Sequence, residues 1–176
     1  MTQKQIDIVK SAITLFGSQG FAAVSTAKIA REAGVSEGLI FRHFTNKTGL
    51  LNVLVSKGNE QYLNYIEEAA SHRDPIELLR FFIKLPMAVI DTPSDFEYYL
   101  AASKIQLELG INREQIYDDI CDQFSWAIAE VGHGKPKSVI RAIISAHEGA
   151  ISAIHLGDID KMYAVVVGLL ELVINE

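Results

Sequence analysis

Arg42, His43 and Lys47 lie within six residues of one another, close behind Ser36, Glu37, Gly38 and Leu39, in the stretch VSTAKIAREAGVSEGLIFRHFTNK from Val24 to Lys47. Cations and a titratable ring beside small oxygen-bearing side chains suit hydrogen bonding to nucleic acid. An arginine fork matches guanine or a phosphate, and a lysine at a helix start, helped by backbone amides, anchors a phosphate. Taken alone Arg42 reads equally as a solvated surface residue; its neighbours favour a DNA contact. His43, flanked by Phe41 and Phe44, can contact phosphate or pack, and Lys28 and Thr26 are spaced to reach a DNA backbone.

These groups need two short helices to hold them. Ser25 or Thr26 can cap a first helix on which Ile29, Ala30 and Ala33 recur at helical steps, and Gly34 can end it in the left-handed conformation. Ser36 can cap a second helix. Val35 and Ile40 stand at the spacing of a hydrophobic staple. With Ile40 and Phe44 turned to the core, Ser36, Glu37, Leu39, Arg42 and His43 fall on or beside the outer surface. A helix-turn-helix of this kind can enter a DNA major groove.

The 176 residues carry a net charge of −6, which excludes a protein that coats nucleic acid without sequence preference. Up to residue 50, however, six basic residues face three acidic ones, so that segment is +3 and the remainder −9. A basic head on an acidic body suits an anionic partner held at one end. The single cysteine, Cys121, and the lack of a signal peptide before the first helix point to a cytoplasmic protein. The apolar run from Met162 to Ile174, interrupted by Gly168 and Glu171, is too short to span a membrane.

Catalytic arrangements are not supported. His147-Glu148 opens like a zinc-protease helix, but position 151 is isoleucine, so the second ligand is missing. His147 and His155 lack a third ligand, and no metal or cofactor is expected. Glu114, Asp118 and Asp122 recur every four residues and read as a solvated acidic stripe rather than a cation site.

In chain order, Thr2-x-x-Gln5 offers a capping box for a helix whose face is Ile6, Val9, Ile13 and Phe16, ended by Gly17 to Gly20. After the helix-turn-helix, Thr45 or Asn46 can cap a long fourth helix. Asp74-Pro75-Ile76-Glu77 starts a fifth helix that weakens near Pro86. Phe96 to Leu109, Asn112 to about Val131, Lys137 to Leu156 and Ile159 to about Ile174 follow. The expected fold is all-α with about nine helices, divided into residues 1–47 for DNA binding and 48–176 for ligand binding and dimerisation.

The residues Leu15-Phe16, Gly20-Phe21, Ile29-Ala30, Ala33-Gly34-Val35-Ser36, Gly38, the aromatic-x-x-Phe ending at Phe44, and Lys47 together resemble the amino-terminal domain of the tetracycline-repressor (TetR) family. The resemblance implies a homodimer whose two heads bind successive major grooves of a palindromic operator, with an inducer pocket and the dimer interface in the carboxy-terminal helices. It places Thr26, Lys28, Ser36, Glu37, Gly38, Leu39, Phe41, Arg42, His43 and Lys47 at the DNA. Three departures from the pattern stand out. Phe41 replaces a frequent phosphate-bonding tyrosine, Glu37 a frequent lysine, and Thr48-Gly49 an acidic pair at the fourth-helix start.

For the body, Ala142, Ala146, Gly149, Ala150 and Ala153, widened by Val165, Leu169 and Leu172, predict close approach of helices across a two-fold dimer. Phe82, Tyr99, Trp126 and His147 are expected to converge on an enclosed pocket for a small hydrophobic effector that releases the DNA. The alternatives are a regulator controlled by a protein partner, or a small helical enzyme or carrier with an interaction head.

Overall fold

The computed structural model describes residues 1–111 and 113–175, and among them every regular element is a helix. Helix α1 (Gln3–Gln19) begins with the expected capping box: Gln5 N–H donates to Thr2 Oγ1 at 3.3 Å, and Thr2 N–H to Gln5 Oε1 at 2.7 Å. Its buried face is Ile8, Val9, Ala12, Leu15 and Phe16. Ile6 and Ile13, expected on that face, lie half-buried at its edge, and Ala12 is buried in their place. Helices α2 (Thr26–Glu32) and α3 (Glu37–Phe44) follow, then the long α4 (Lys47–Ser71).

The fifth helix divides in two, which makes ten α-helices among the described residues rather than about nine. Helix α5 (Pro75–Ile83), capped by Asp74 through Glu77 N–H at 2.9 Å, stops before α6 (Leu85–Asp91). The cause is Pro86, which has no N–H to offer the preceding turn. Met87 and Ala88 N–H groups donate instead to Lys84 O, so a new helix starts one residue later. A 3-10 turn (Pro93–Asp95) leads to α7 (Glu97–Leu109), closed by Gly110 in the left-handed conformation. Helices α8 (Glu114–Glu130), α9 (Pro136–Leu156) and α10 (Ile159–Ile174) complete the chain; α10 is capped by Asp158, which accepts from Lys161 N–H at 3.1 Å. The expected opening of the eighth helix at Asn112 lies outside the described residues.

The chain forms two compact units. One comprises Met1–Gln61 with Phe96–Ile111, the other Tyr62–Asp95 with Asn112–Glu176. Helix α7 belongs with the head because Ala101, Ala102 and Ile105 complete the core of Ile8, Leu15, Phe16, Ile29, Ile40, Phe44, Leu50 and Leu54. A buried aliphatic side chain is worth roughly 1.5–3 kcal/mol, against at most about 1 kcal/mol for an exposed polar pair. The apolar seam therefore holds α7 to α1 and α4. Gly58 on α4 marks the closest approach: a Cβ there would stand 2.5 Å from Ala102 Cβ and 2.8 Å from the Tyr98 carbonyl.

In the second unit α9 packs against α8 and α10, while α5 packs against α8 and α10. The acidic stripe of α8 meets cations of α9: Arg141 pairs with Glu114 and Asp118, and Lys137 with Asp122. Cys121 is buried beneath it, and burial, ahead of the neighbouring charges, raises its thiol pKa. No helix among the described residues is long and apolar enough to cross a membrane.

Candidate nucleic-acid interface

Helix α2 starts where Ser25 Oγ accepts from Lys28 N–H at 3.2 Å, which assigns the cap to Ser25 rather than Thr26. It ends in paired reverse bonds, Val35 N–H to Ala30 O at 2.9 Å and Gly34 N–H to Arg31 O at 3.3 Å, with Gly34 at φ 65°. This motif turns the chain within four residues. Ser36 takes the extended backbone of an N-cap, but its side chain makes no capping bond. The start of α3 is secured from elsewhere: Thr26 Oγ1 donates to the Glu37 carboxylate at 2.6 Å, tying the first residues of α2 and α3 together. Glu37, which stands where the TetR pattern often has a lysine, thus has a local partner.

Ile40 and Phe44 are buried as expected, and Val35 and Leu39 pack beside them. Leu39 is therefore turned towards the core rather than fully outward. The exposed stripe of α3 is Gly38, Phe41, Arg42 and Thr45, at steps of three, one and three. Arg42 makes the stripe cationic, and the exposed ring of Phe41 offers an apolar surface of the kind that meets a thymine methyl. His43 is half-buried, with its ring edge-on to Phe44 and Nδ1 3.5 Å from Gln5 Nε2. Both readings of His43 thus meet in one place: it packs, at the margin of the stripe. Lys28 donates to Gln19 near the end of α1.

Lys47 is the first residue of α4. Asn46 caps that helix, its Oδ1 accepting from Gly49 N–H at 2.8 Å. Helix geometry leaves the Lys47 and Thr48 amides without intrahelical acceptors, a ready site for a phosphate. Lys47 Nζ lies 4.2 Å from the centre of the Phe21 ring, and partial burial lowers its pKa against the opposing pull of Glu108. The Gly49 departure has a steric reason, since a Cβ there would stand 1.8 Å from the Phe44 carbonyl oxygen. Spacing could not show the supporting partners Gln5, Gln19 and Glu108; the last lies 87 positions from the Phe21 N–H it accepts.

The body residues are brought together only in part. Phe82 and His147 touch, ring edge to face at 5.0 Å, and Phe82 meets Phe124 in the same way at 5.0 Å. His147 is 2% exposed; its Nε2 lies 3.3 Å from Ile83 O, a carbonyl released by the Pro86 break, while Nδ1 has no hydrogen-bond partner. Burial lowers the imidazole pKa to about 4, so the ring is neutral and Nδ1 is an acceptor. Trp126 is 43% exposed and does not line an enclosed site. It sits two residues from buried Phe124, and two helical steps place it on the opposite face. Tyr99 belongs to the head unit, where its ring meets Phe96 and its N–H donates to Gln61.

Among the expected dimer residues, Ala150 and Ala153 are buried within the subunit. Ala142 and Gly149 are exposed, Ala146, Val165 and Leu169 half-buried, and Leu172 75% exposed. Leu156, Tyr163 and Val167 are exposed as well, with Tyr163 and Val167 on the flank of α10 away from Leu172.

Residues 8–54 match the model for bacterial regulatory proteins of the TetR family. An uncharacterized HTH-type transcriptional regulator of Bacillus subtilis (strain 168), YerO, is 34% identical over 84 residues, covering 46% of this chain and 29% of that protein. The regulator TtgR of Pseudomonas putida is 27% identical over 121 residues, covering 68% of this chain and 55% of TtgR. The chain thus spans about a third of the length of the first such relative and about half of the second. A TetR-like regulator from Rhodococcus sp. RHA1 shares the fold, with a TM-score of 0.77 at 16% identity over 97% of this chain and 93% of that one.

Proposed function

We propose that this chain, whose residues 8–54 match the model for bacterial regulatory proteins of the TetR family, is a homodimeric transcriptional repressor that binds a palindromic operator and is released by a small hydrophobic effector. The observation that carries the reading is the exposed stripe of Gly38, Phe41 and Arg42 on a helix whose other side is locked into the head core. Nothing inside the fold requires those side chains to point outward, whereas a major groove accepts a helix presenting an arginine and an apolar ring. Lys47 and the free amides of α4 supply the flanking phosphate contact.

A second copy seated on the exposed surface of α9 and α10 would supply the other head, since a two-fold operator asks for two heads one helical turn of DNA apart. For the effector, the cluster of Phe82, Phe124 and His147 is apolar with one buried acceptor nitrogen, a combination that favours a neutral ligand carrying a hydrogen-bond donor. An effector of this sort lowers operator affinity by the difference in its own affinity for the two states of the protein.

Footprinting and titration against the DNA flanking the protein's own gene test the reading. The expected result is protection of two half-sites one turn apart, with affinity that falls steeply as salt rises. Failure to shift any flanking fragment at low salt, or binding indifferent to salt, would overturn it.

A further inference from the structure

The carboxy-terminal half of α7 grips the head next to the phosphate anchor. Lys104 Nζ donates to the carbonyl of Gly17 in the last turns of α1. Four residues on, the Glu108 carboxylate accepts from Phe21 N–H, at 3.2 Å to Oε1 and 3.3 Å to Oε2. The turn that presents this N–H depends on Gly20 at φ 80°, where a Cβ would stand 3.3 Å from Glu108 Oε1. The carboxylate is thus seated directly beneath the turn. Phe21 packs its ring on Phe16 at 5.1 Å and offers the ring to Lys47 Nζ at 4.2 Å. Glu108 is also the carboxylate whose field acts on Lys47.

These contacts form one chain, from Glu108 through the Phe21 backbone to the Phe21 ring and so to Lys47. We infer that Glu108 is a positioning residue for the DNA contact: it fixes the Phe21 turn and, through it, holds the Lys47 ammonium ready for a phosphate. A lysine has four rotatable side-chain bonds, and restraining them before DNA arrives removes part of the ordering cost of the contact. Because Glu108 and Lys104 share α7, any shift of that helix along its seam changes the anchor. The inference rests on the DNA-binding reading above, but its first consequence can be seen without DNA.

In the DNA-free protein, the Lys47 Hε protons should resonate upfield from ring current over Phe21, and Glu108→Ala should move them back towards free-lysine values. Operator titrations over a salt series then compare the native chain, Glu108→Ala, Lys47→Ala and the double variant. Glu108→Ala should weaken binding about two- to fivefold and flatten the salt dependence, with no further loss on the Lys47→Ala background. Glu108 is exposed and Phe21 N–H can turn to water, so the thermal midpoint should stay close to that of the native chain. An unmoved Lys47 resonance in Glu108→Ala would overturn the inference. So would an equal loss on both backgrounds, which marks a general structural effect, or tighter binding, which marks a carboxylate competing with phosphate. If the native chain binds no flanking DNA, the DNA reading fails while the resonance still decides the positioning.

Discussion

Gly38 meets no atom within 4 Å of where a Cβ would lie, so nothing in the free protein requires glycine there. A glycine inside a helix costs up to about 1 kcal/mol relative to alanine, which makes its presence on the exposed stripe a sign of close approach by something outside the chain. Gly38→Ala should raise the thermal midpoint and yet weaken operator binding; tight binding by this variant would move the groove contact away from Gly38. Arg42→Ala should cost ~1–3 kcal/mol and relax preference at one base per half-site, while Lys47→Ala should weaken all sequences alike, as binding to a set of operator variants would reveal. His147 carries a stability prediction of known sign. Its folded pKa of about 4 lies below the ordinary 6.5, so between those values the unfolded chain binds a proton that the folded one refuses. The contribution is complete above pH 6.5, shrinks as pH falls and levels off below about 4, a loss of up to roughly 3 kcal/mol. Urea unfolding of His147→Leu at pH 4.5 and 7 should show the variant gaining on the native chain at the lower pH; an unchanged gap would mean that the ring is protonated in the fold. At this scale the exposed cations were legible because spacing alone puts Arg42 opposite Ile40 and Phe44. The Thr26–Glu37 bond was not, since it joins two helices whose crossing no spacing records.

Helix ends were the most legible elements, because their chemistry is local. Thr2, Ser25, Asn46, Asp74 and Asp158 all accept the capping bonds that residues of their type favour. The faces of helices were less so. On α1, Ile6 and Ile13 have the right period but yield the centre of the face to Ala12, and on α8 an abundance of aromatics hid the fact that Trp126 points away from Phe124. The break between α5 and α6 followed from Pro86, but only the structure shows the helix resuming at once. Two glycines of α4 now carry a prediction against the usual rule. In an exposed helix Gly→Ala stabilises by up to about 1 kcal/mol. At Gly49 and Gly58 the new methyl would instead strike the Phe44 carbonyl or the α7 backbone at Tyr98, and overpacking costs roughly 1–3 kcal/mol. Both variants should therefore lower the thermal midpoint, and Gly49→Ala, which disturbs the Asn46 cap beside Lys47, should also lower DNA affinity. A midpoint raised by either change would refute the close approach at that helix.

At the scale of the molecule, the basic head and acidic body were plain from charge, but the membership of α7 was not: its Ala101, Ala102 and Ile105 look like any helical stripe until the core they fill is seen. The same blindness affected the proposed dimer surface, where the small residues of α9 divide between inside and outside. Ala150 and Ala153 face inward, whereas exposure leaves Leu172, Val167 at 53% and Leu156 at 80% as apolar groups facing water. Large apolar side chains left facing water mark an association site, and a stable two-fold contact needs about 1,200–2,000 Å² of buried surface in total. In a two-fold interface each substitution is present twice, so one charge per chain introduces two buried charges per dimer. Ala142→Glu and Leu172→Glu should each convert a micromolar dimer to monomer in sedimentation while leaving the helical signal and thermal midpoint of the subunit nearly unchanged. The monomers should still protect an isolated half-site weakly at low salt, because each head keeps its α3 stripe and Lys47, but they should lose the much tighter grip on the full operator, where the second head binds at high effective concentration. A native chain that sediments as a monomer at micromolar concentration, or glutamate variants that stay dimeric, would remove this surface from the assembly and leave the second head to be supplied some other way.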